Sequence, residues 1–310
     1  MNRSSSGWSL FDAKPGKRVL PGFALSMGIS LLFISLVLLL PVTGLIAQTA
    51  DMSWSQYWAV ITDERVVASY KVTLWAAFFA SLFNGVVGLL LAWVLVRYEF
   101  PGKRIIDALI DLPFALPTAV AGITLAALFA ENGWYGQMLA LLGIKVAFTP
   151  LGIIVAMAFT SLPFVVRTVQ PVLEDLAPED EEAAVTMGAS DLTVFRRVVF
   201  PALWPALMTG VALSFTRSLG EFGAVIFIAG NMPYVSEITS LMIFIRLQEF
   251  DYAAASAIAS VVLMASLVLL FSINIWQARY LRRLHGRESP ICISRHGCVS
   301  PIRHGSSGLW

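Results

Sequence analysis

The sequence predicts an all-α integral membrane protein with six spanning helices. Three observations carry that prediction. Charged residues make up 13% of the 310-residue chain and hydrophobic residues 57%, whereas a water-soluble domain carries about 25% charged residues. Six stretches (23–47, 69–96, 111–130, 151–171, 202–229 and 256–278) stay apolar over about the 20 residues that a helix needs to cross a bilayer. The basic residues also fall unevenly on the connections: 16 on one side and 4 on the other, with Arg217 inside a span. Basic connections stay in the cytoplasm, so six spans place both termini there.

The first stretch follows Lys14, Lys17 and Arg18 and runs apolar from Leu31 to Leu40. It is longer than the roughly 7–15 residues of a signal-peptide core, so it reads as an uncleaved first span. The second carries Asn84, a polar residue at membrane depth. The third has Asp107 and Asp111 at its start and contains Pro113 and Pro117. It reads as a kinked helix packed inside the bundle, where neighbours satisfy the carbonyls that proline frees. The fifth holds Ser214, Thr216, Arg217, Ser218, Gly220, Glu221 and Gly223. The sixth is a plain apolar run from Val261 to Phe271. Trp54, Tyr57, Trp58, Trp134, Tyr135, Trp276 and Tyr280 stand near predicted span ends, as interfacial aromatics do.

The expected organisation is a cytoplasmic tail (1–22), a first span with its periplasmic loop (23–68), a membrane core (69–279) and a disordered cytoplasmic tail (280–310). Cys292, Cys298, His285, His296 and His304 all lie in that last tail. No disulfide framework, metal site or His-based catalysis is expected in the apolar body. Cys292, His296 and Cys298 lack a fourth ligand at ordinary zinc spacing. No paired-carboxylate constellation is evident either, so the chain is not expected to be an enzyme.

The inside loop 172–200 has local order. Ala177-Pro178-Glu179-Asp180-Glu181-Glu182 reads as a helix start: proline suits the first helical position and acids suit the positive end of the dipole. The helix runs through Ala183-Ala184-Val185-Thr186-Met187 and stops at Gly188 as a left-handed cap. Ser190 is expected to cap a second short helix, Asp191 to Val199, that ends with Arg196 and Arg197 before Pro201.

Glu182-Ala183-Ala184, three residues, Gly188, nine residues and then Val198-Val199-Phe200-Pro201 resemble the EAA loop of ABC importer permeases. The family pattern ends Ile-x-Leu-Pro; here it is Val-x-Phe-Pro, a conservative departure. The resemblance spans about Ser69 to Arg279 and implies the type I ABC importer permease architecture. It implies that Glu182, Ala183, Ala184, Gly188 and Pro201 belong to the loop that docks on an ATP-binding subunit. The chain has no GxxxxGK[ST] phosphate loop, because Pro15-Gly16-Lys17-Arg18 lacks the spacing and the hydroxyl. ATP and Mg are therefore expected on a partner ATPase dimer, with no cofactor on this chain.

Pro113 to Gly122, Pro163 to Glu174 and Ser218-Leu219-Gly220-Glu221-Phe222-Gly223-Ala224 resemble segments of the oxyanion permeases. Val225 to Asn231 and Val235 to Thr239 resemble the T-type sulfate/thiosulfate permeases. That resemblance implies a second, W-type permease, a periplasmic sulfate-binding protein, a bacterial inner membrane with its lipids as surroundings, and no nucleic acid. Another oxyanion, molybdate-like, is the alternative cargo.

Arg217 and Glu221 stand four residues apart and are expected to pair on one helix face. They read either as positive potential for a transiting dianion or as a structural ion pair, which is favoured because a strong fixed cation would trap the anion. Gly220 with Gly223 reads as packing or a gate. Asn84, Ser214, Thr216 and Ser218 read as cavity lining or as helix-to-helix hydrogen bonds. An ion-coupled secondary transporter is the other class. It would need intramembrane acids and inverted repeats, and Glu221 is the one plausible acid.

Overall fold

A computed structural model of the chain describes residues 23–285. The segments 1–22 and 286–310, with Cys292, His296, Cys298 and His304, lie outside the described residues. Those described form helices joined by turns and loops, with no strand among them.

Among the described residues, five helices are long and apolar enough to cross a membrane: Leu25–Ala50, Glu64–Arg97, Pro150–Glu174, Asp191–Leu219 and Tyr252–Ile273. The first is built from α1 (Phe23–Ile34) and α2 (Leu40–Ala50), joined without a break by a π-turn over Ser35–Leu39. That turn sits just before Pro41, and the wider spacing fits a proline that cannot donate to the ordinary helical ladder. After α3 (Trp54–Ile61), whose start is fixed by a Ser53–Gln56 capping box, Asp63 caps α4 (Glu64–Arg97) by accepting from the N–H groups of Arg65 and Val66.

The bundle centre is α4, α9 (Pro150–Glu174) and α12 (Phe200–Leu219). Small residues set their separation. A Cβ on Gly210 would lie 2.9 Å from Val165 Cα, and one on Gly88 would lie 2.8 Å from the Val165 side chain. Close backbone approach of this kind is how helices pack where no water drives them together. Among the described residues, apolar side chains fill three buried clusters: one around Ala77, Met157 and Ile228, one around Val165, Val199 and Leu203, and a small one of Val66, Met242 and Ile258.

The third expected span is not one helix. It divides into α5 (Lys103–Ile110), α6 (Leu112–Ala115) and α7 (Thr118–Phe129). Leu116 is extended (φ −82°, ψ 136°), because the ring of Pro117 disfavours helical geometry in the residue before it. The kinked single helix is thus corrected to a broken one. The fifth expected span also breaks: α12 stops at Leu219, and α13 (Val225–Ile228) follows a turn through Gly220 and Gly223. Two glycines in five residues weaken a helix, and Gly223 sits where a Cβ would lie 2.1 Å from Thr118 Oγ1. The remaining elements are α8 (Trp134–Ala140), α10 (Pro178–Thr186), α11 (Asp191–Val194), α14 (Thr239–Gln248) and α15 (Tyr252–His285).

Candidate functional site

The loop after α9 folds as a knob. Pro178 stands in the first turn of α10 with Glu179, Asp180 and Glu181. Gly188 is left-handed, with φ +82°, a conformation that favours glycine. Ser190 occupies the N-terminal cap position of α11, but its hydroxyl bonds Thr193 Oγ1 at 2.9 Å instead of a backbone N–H. Pro201 does not end a helix. A π-turn over Phe195–Val199, closed by Phe200 N–H to Phe195 O, carries α11 straight into α12. The expected boundary before Pro201 is therefore corrected to one continuous rod from Asp191 to Leu219.

The knob presents Glu182, Ala183 and Gly188 to the outside, with Val185, Met187 (82% exposed) and Leu192 around them. Ala184 faces inward, buried in the cluster with Leu173, Val194 and Leu203. Glu181 pairs with Arg97 at the end of α4. The Arg97 guanidinium lies 5.3 Å above the Trp93 ring, which meets Phe195 edge-on. The knob is thus tied to α4 by charge, and α4 to the rod by aromatic contact.

Within the bundle, Asn84 is fully buried. Its Nδ2 lies 3.0 Å from Ala158 O, 2.9 Å from Ser161 Oγ and 3.1 Å from Ser214 Oγ. Ser214 and Ser218 both bond Ser161 Oγ, and Ser161 donates to Met157 O at 2.6 Å. One amide and three hydroxyls therefore join α4, α9 and α12 without a charge.

At the far end of the rod, Arg217 Nη1 meets Glu221 Oε2 at 2.7 Å. The pair forms although Glu221 lies in the turn beyond α12, so it is not a pair on one helix face. Glu221 is 1% exposed and Arg217 34%. The other oxygen of Glu221 accepts from Ala224 N–H at 3.0 Å, which fixes the turn before α13. This turn packs on the other helix break: Gly223 lies against Thr118, and a Cβ on Gly122 would fall 2.3 Å from Ala224 O. Gly220 is exposed, and the nearest atom to a Cβ there would be Arg217 O at 4.0 Å.

The family model described as "Binding-protein-dependent transport system inner membrane component" matches residues 84–286. The chain belongs to this family. It is 69% identical over 88% of its length, and 99% of the relative's, to "Sulfate transport system permease protein CysT" of Salmonella typhimurium. It is 68% identical over the same shares to the Escherichia coli protein of that name, and 47% identical over 81% of its length and 89% of the relative's to that of Synechocystis. A bacterial ABC transporter structure described as importing the acidic polysaccharide alginate shares the fold at TM-score 0.70, with 17% identity, 83% of this chain and 96% of that chain covered. The MetNI methionine ABC transporter in an inward-facing conformation follows at TM-score 0.52, with 18% identity over 75% of this chain and 99% of that one.

A binding-protein-dependent inner membrane component is a multi-pass membrane protein that works with an ATPase, a substrate-binding protein and a second permease. Its relatives are transport permease subunits, not enzymes. In this family member the structure gathers Asn84, Ser214 and Ser218 in one node and Arg217, Glu221 and Gly220 at one turn, with Glu182, Ala183, Ala184 and Gly188 on the knob. Three residues of these networks did not stand out in the sequence. Ser161 is the hub of the node, and its one signal is that a buried Asn84 needs partners on a neighbouring helix. Glu181 reads as helix-start charge yet anchors the knob. Arg167 reads as a basic residue near the cytoplasmic face. It grips Asp111 with two bonds (2.9 and 2.6 Å) and Asp107 with two more (2.7 and 3.0 Å), tying the broken third segment to α9.

Proposed function

We propose that this chain is a sulfate-translocating permease subunit of an ATP-driven importer in a bacterial inner membrane, with both termini in the cytoplasm. Its close similarity, along most of its length, to sulfate transport permeases carries the reading. Sulfate or thiosulfate is the cargo, delivered by a periplasmic binding protein, and the second permease is a different, W-type chain. ATP and Mg belong to the ATPase dimer, and this chain binds no cofactor of its own. Residues 69–279 form the transport core and 172–200 its coupling loop.

The exposed rim of Val185, Met187 and Leu192 around Gly188 supports docking of the knob on the ATPase. Desolvating these apolar groups favours contact, and the left-handed Gly188 keeps the turn free of side chain. Closure of the ATPase dimer moves the knob. Because α11 runs into α12 without a break, the motion reaches Arg217. The route for the anion passes the junction where the turn Gly220–Ala224 meets Thr118 and Gly122. There Glu221 holds Arg217 neutralised, so a dianion meets a compensated cation and is not trapped. Asn84, Ser214 and Ser218 supply neutral polar groups behind that junction.

The test is sulfate uptake in a bacterium deleted for its own permease, comparing the chain with Gly188→Asp. No neighbour lies within 4 Å of a Cβ at Gly188, so the substitution meets no clash inside the chain. Its intramolecular cost is the left-handed backbone, about 1–2 kcal/mol. The chain restores uptake; the variant inserts normally but neither transports nor retains the ATPase. Equal uptake by both would sink the coupling role. ATPase binding without sulfate uptake by the unaltered chain would overturn the cargo alone.

A further inference from the structure

An apolar groove of about 920 Å³ runs between α4, α12 and α15, with Phe78, Leu82, Met208, Phe215, Val268 and Ile273 in its walls. It shares Phe78 and Phe215 with a cavity of about 460 Å³, where Lys71 and Trp75 join the lining. The two make one slot with a cation at one end. The hydroxyls of Ser81 and Ser272 are spent on Phe78 O and Val268 O, so the larger groove is apolar in character and the polar groups lie at the Lys71 end. Lys71 is exposed and has no ion-pair or hydrogen-bond partner among the described residues.

Depth identifies what such a slot suits. The 34 residues of α4 span about 51 Å at about 1.5 Å per residue. A hydrocarbon core of about 30 Å leaves about 10 Å of a centred helix on either side. Lys71 is seven residues past Glu64, about 10 Å along, at the boundary between headgroups and hydrocarbon. Trp75 stacks on Phe79 at 5.6 Å just below it, in the interfacial position that tryptophan prefers. From Lys71 to Leu82 the slot follows α4 for about 16 Å, a length comparable to an acyl chain.

We propose that this slot binds a phospholipid with an anionic headgroup. The headgroup sits on the Lys71 ammonium and one acyl chain lies between α4, α12 and α15. In the proposed orientation it belongs to the periplasmic leaflet. An apolar helix of a partner protein would fill the walls but leave the ammonium without a counter-charge at the edge of hydrocarbon, which an anionic headgroup supplies. The assignment depends on membrane insertion and not on which anion is carried.

The experiment uses the assembled transporter, purified through a tag on this chain and placed in phosphatidylethanolamine nanodiscs. Two photoreactive probes, a phosphatidylglycerol and a phosphatidylcholine with the same diazirine acyl chain, are crosslinked and mapped by peptide mass spectrometry. The phosphatidylglycerol probe labels peptides containing Phe78, Met208 and Val268. Lys71→Glu, which alters an exposed side chain, lowers that labelling at least about fivefold, while phosphatidylcholine labelling is unchanged. Equal labelling by both probes, indifferent to Lys71→Glu, would reduce the slot to ordinary boundary lipid and overturn the proposal. Absence of label from these peptides overturns it too, and a crosslink from Phe78→Cys to the second permease would then name protein as the occupant.

Discussion

The bundle of α4, α9 and α12 is held differently at its middle and at the end near the knob. The middle is joined by Asn84, Ser161, Ser214 and Ser218, all neutral and all buried. Toward the knob the joints are ionic: Arg97 with Glu181, and Arg167 with Asp107 and Asp111, all partly exposed. Solvation explains the division. A charge at membrane depth costs several kcal/mol unless fully paired, whereas a neutral amide and hydroxyls cost less there, even with the Asn84 amide oxygen left without a partner. Near the membrane surface water shares the load, and arginine reaches segments far apart in sequence. The middle therefore fixes how the helices cross, and the charged end fixes where the broken segment and the knob sit.

The sharpest way to break this contrast is Asn84→Leu. It leaves the buried hydroxyls of Ser161 and Ser214 short of a partner, and the loss expected is about 1–3 kcal/mol. Thermal unfolding of the purified complex in detergent would show it as a lowered midpoint with sulfate uptake lost in parallel. An unchanged midpoint would mean the node is incidental. Arg167→Leu comes next. It frees Asp107 and Asp111, but both are 40–45% exposed, so water recovers part of the loss and a destabilisation of about 1 kcal/mol is expected. Proteolysis between α5 and α7 should rise; restoring the normal pattern with Asp107→Asn and Asp111→Asn added would sharpen the assignment.

The smallest effect belongs to Glu131 and Lys145, paired at 2.6 Å on the connection from α7 to α9 and both exposed. The hydrogen bond from Lys145, then its charge, holds the Glu131 carboxyl below the usual range, and the same bond raises Lys145. The glutamate's contribution is full above the ordinary glutamate pKa and fades as pH falls through the lowered value. The lysine's is full below the ordinary lysine pKa and fades as pH rises through the raised one. Glu131→Gln should therefore leave stability near neutral pH almost unmoved, and a marked drop there would contradict the surface character of the pair.

Long apolar runs made four of the five spanning helices legible, with ends that differ by up to five residues, and Gly188 with Pro178 marked the knob. The breaks were harder to read. Hydropathy registers apolar content, and both Leu116-Pro117 and Gly220 to Gly223 sit inside runs apolar enough to pass as helix. What breaks them is backbone geometry at Leu116 and close packing between Gly223 and Thr118, 105 residues apart in sequence. Pro201 misled in the opposite direction: proline marks a boundary unless a π-turn absorbs it, and nothing local announces that turn. Ser161 stayed hidden because a helical serine satisfies itself on its own backbone, as this one does on Met157 O, and only the fold shows that it also serves three neighbours.

The continuous run from Asp191 to Leu219 is 29 residues, a lever about 43 Å long. A loop at Pro201 would have absorbed displacement; an unbroken rod transmits it. A tilt of about five degrees about the Asp191 end carries Leu219 through about 4 Å, more than the width of the contact between Arg217 and Glu221. Small movements at the surface thus arrive enlarged at the turn, and the amplification is set by where the helix does not break.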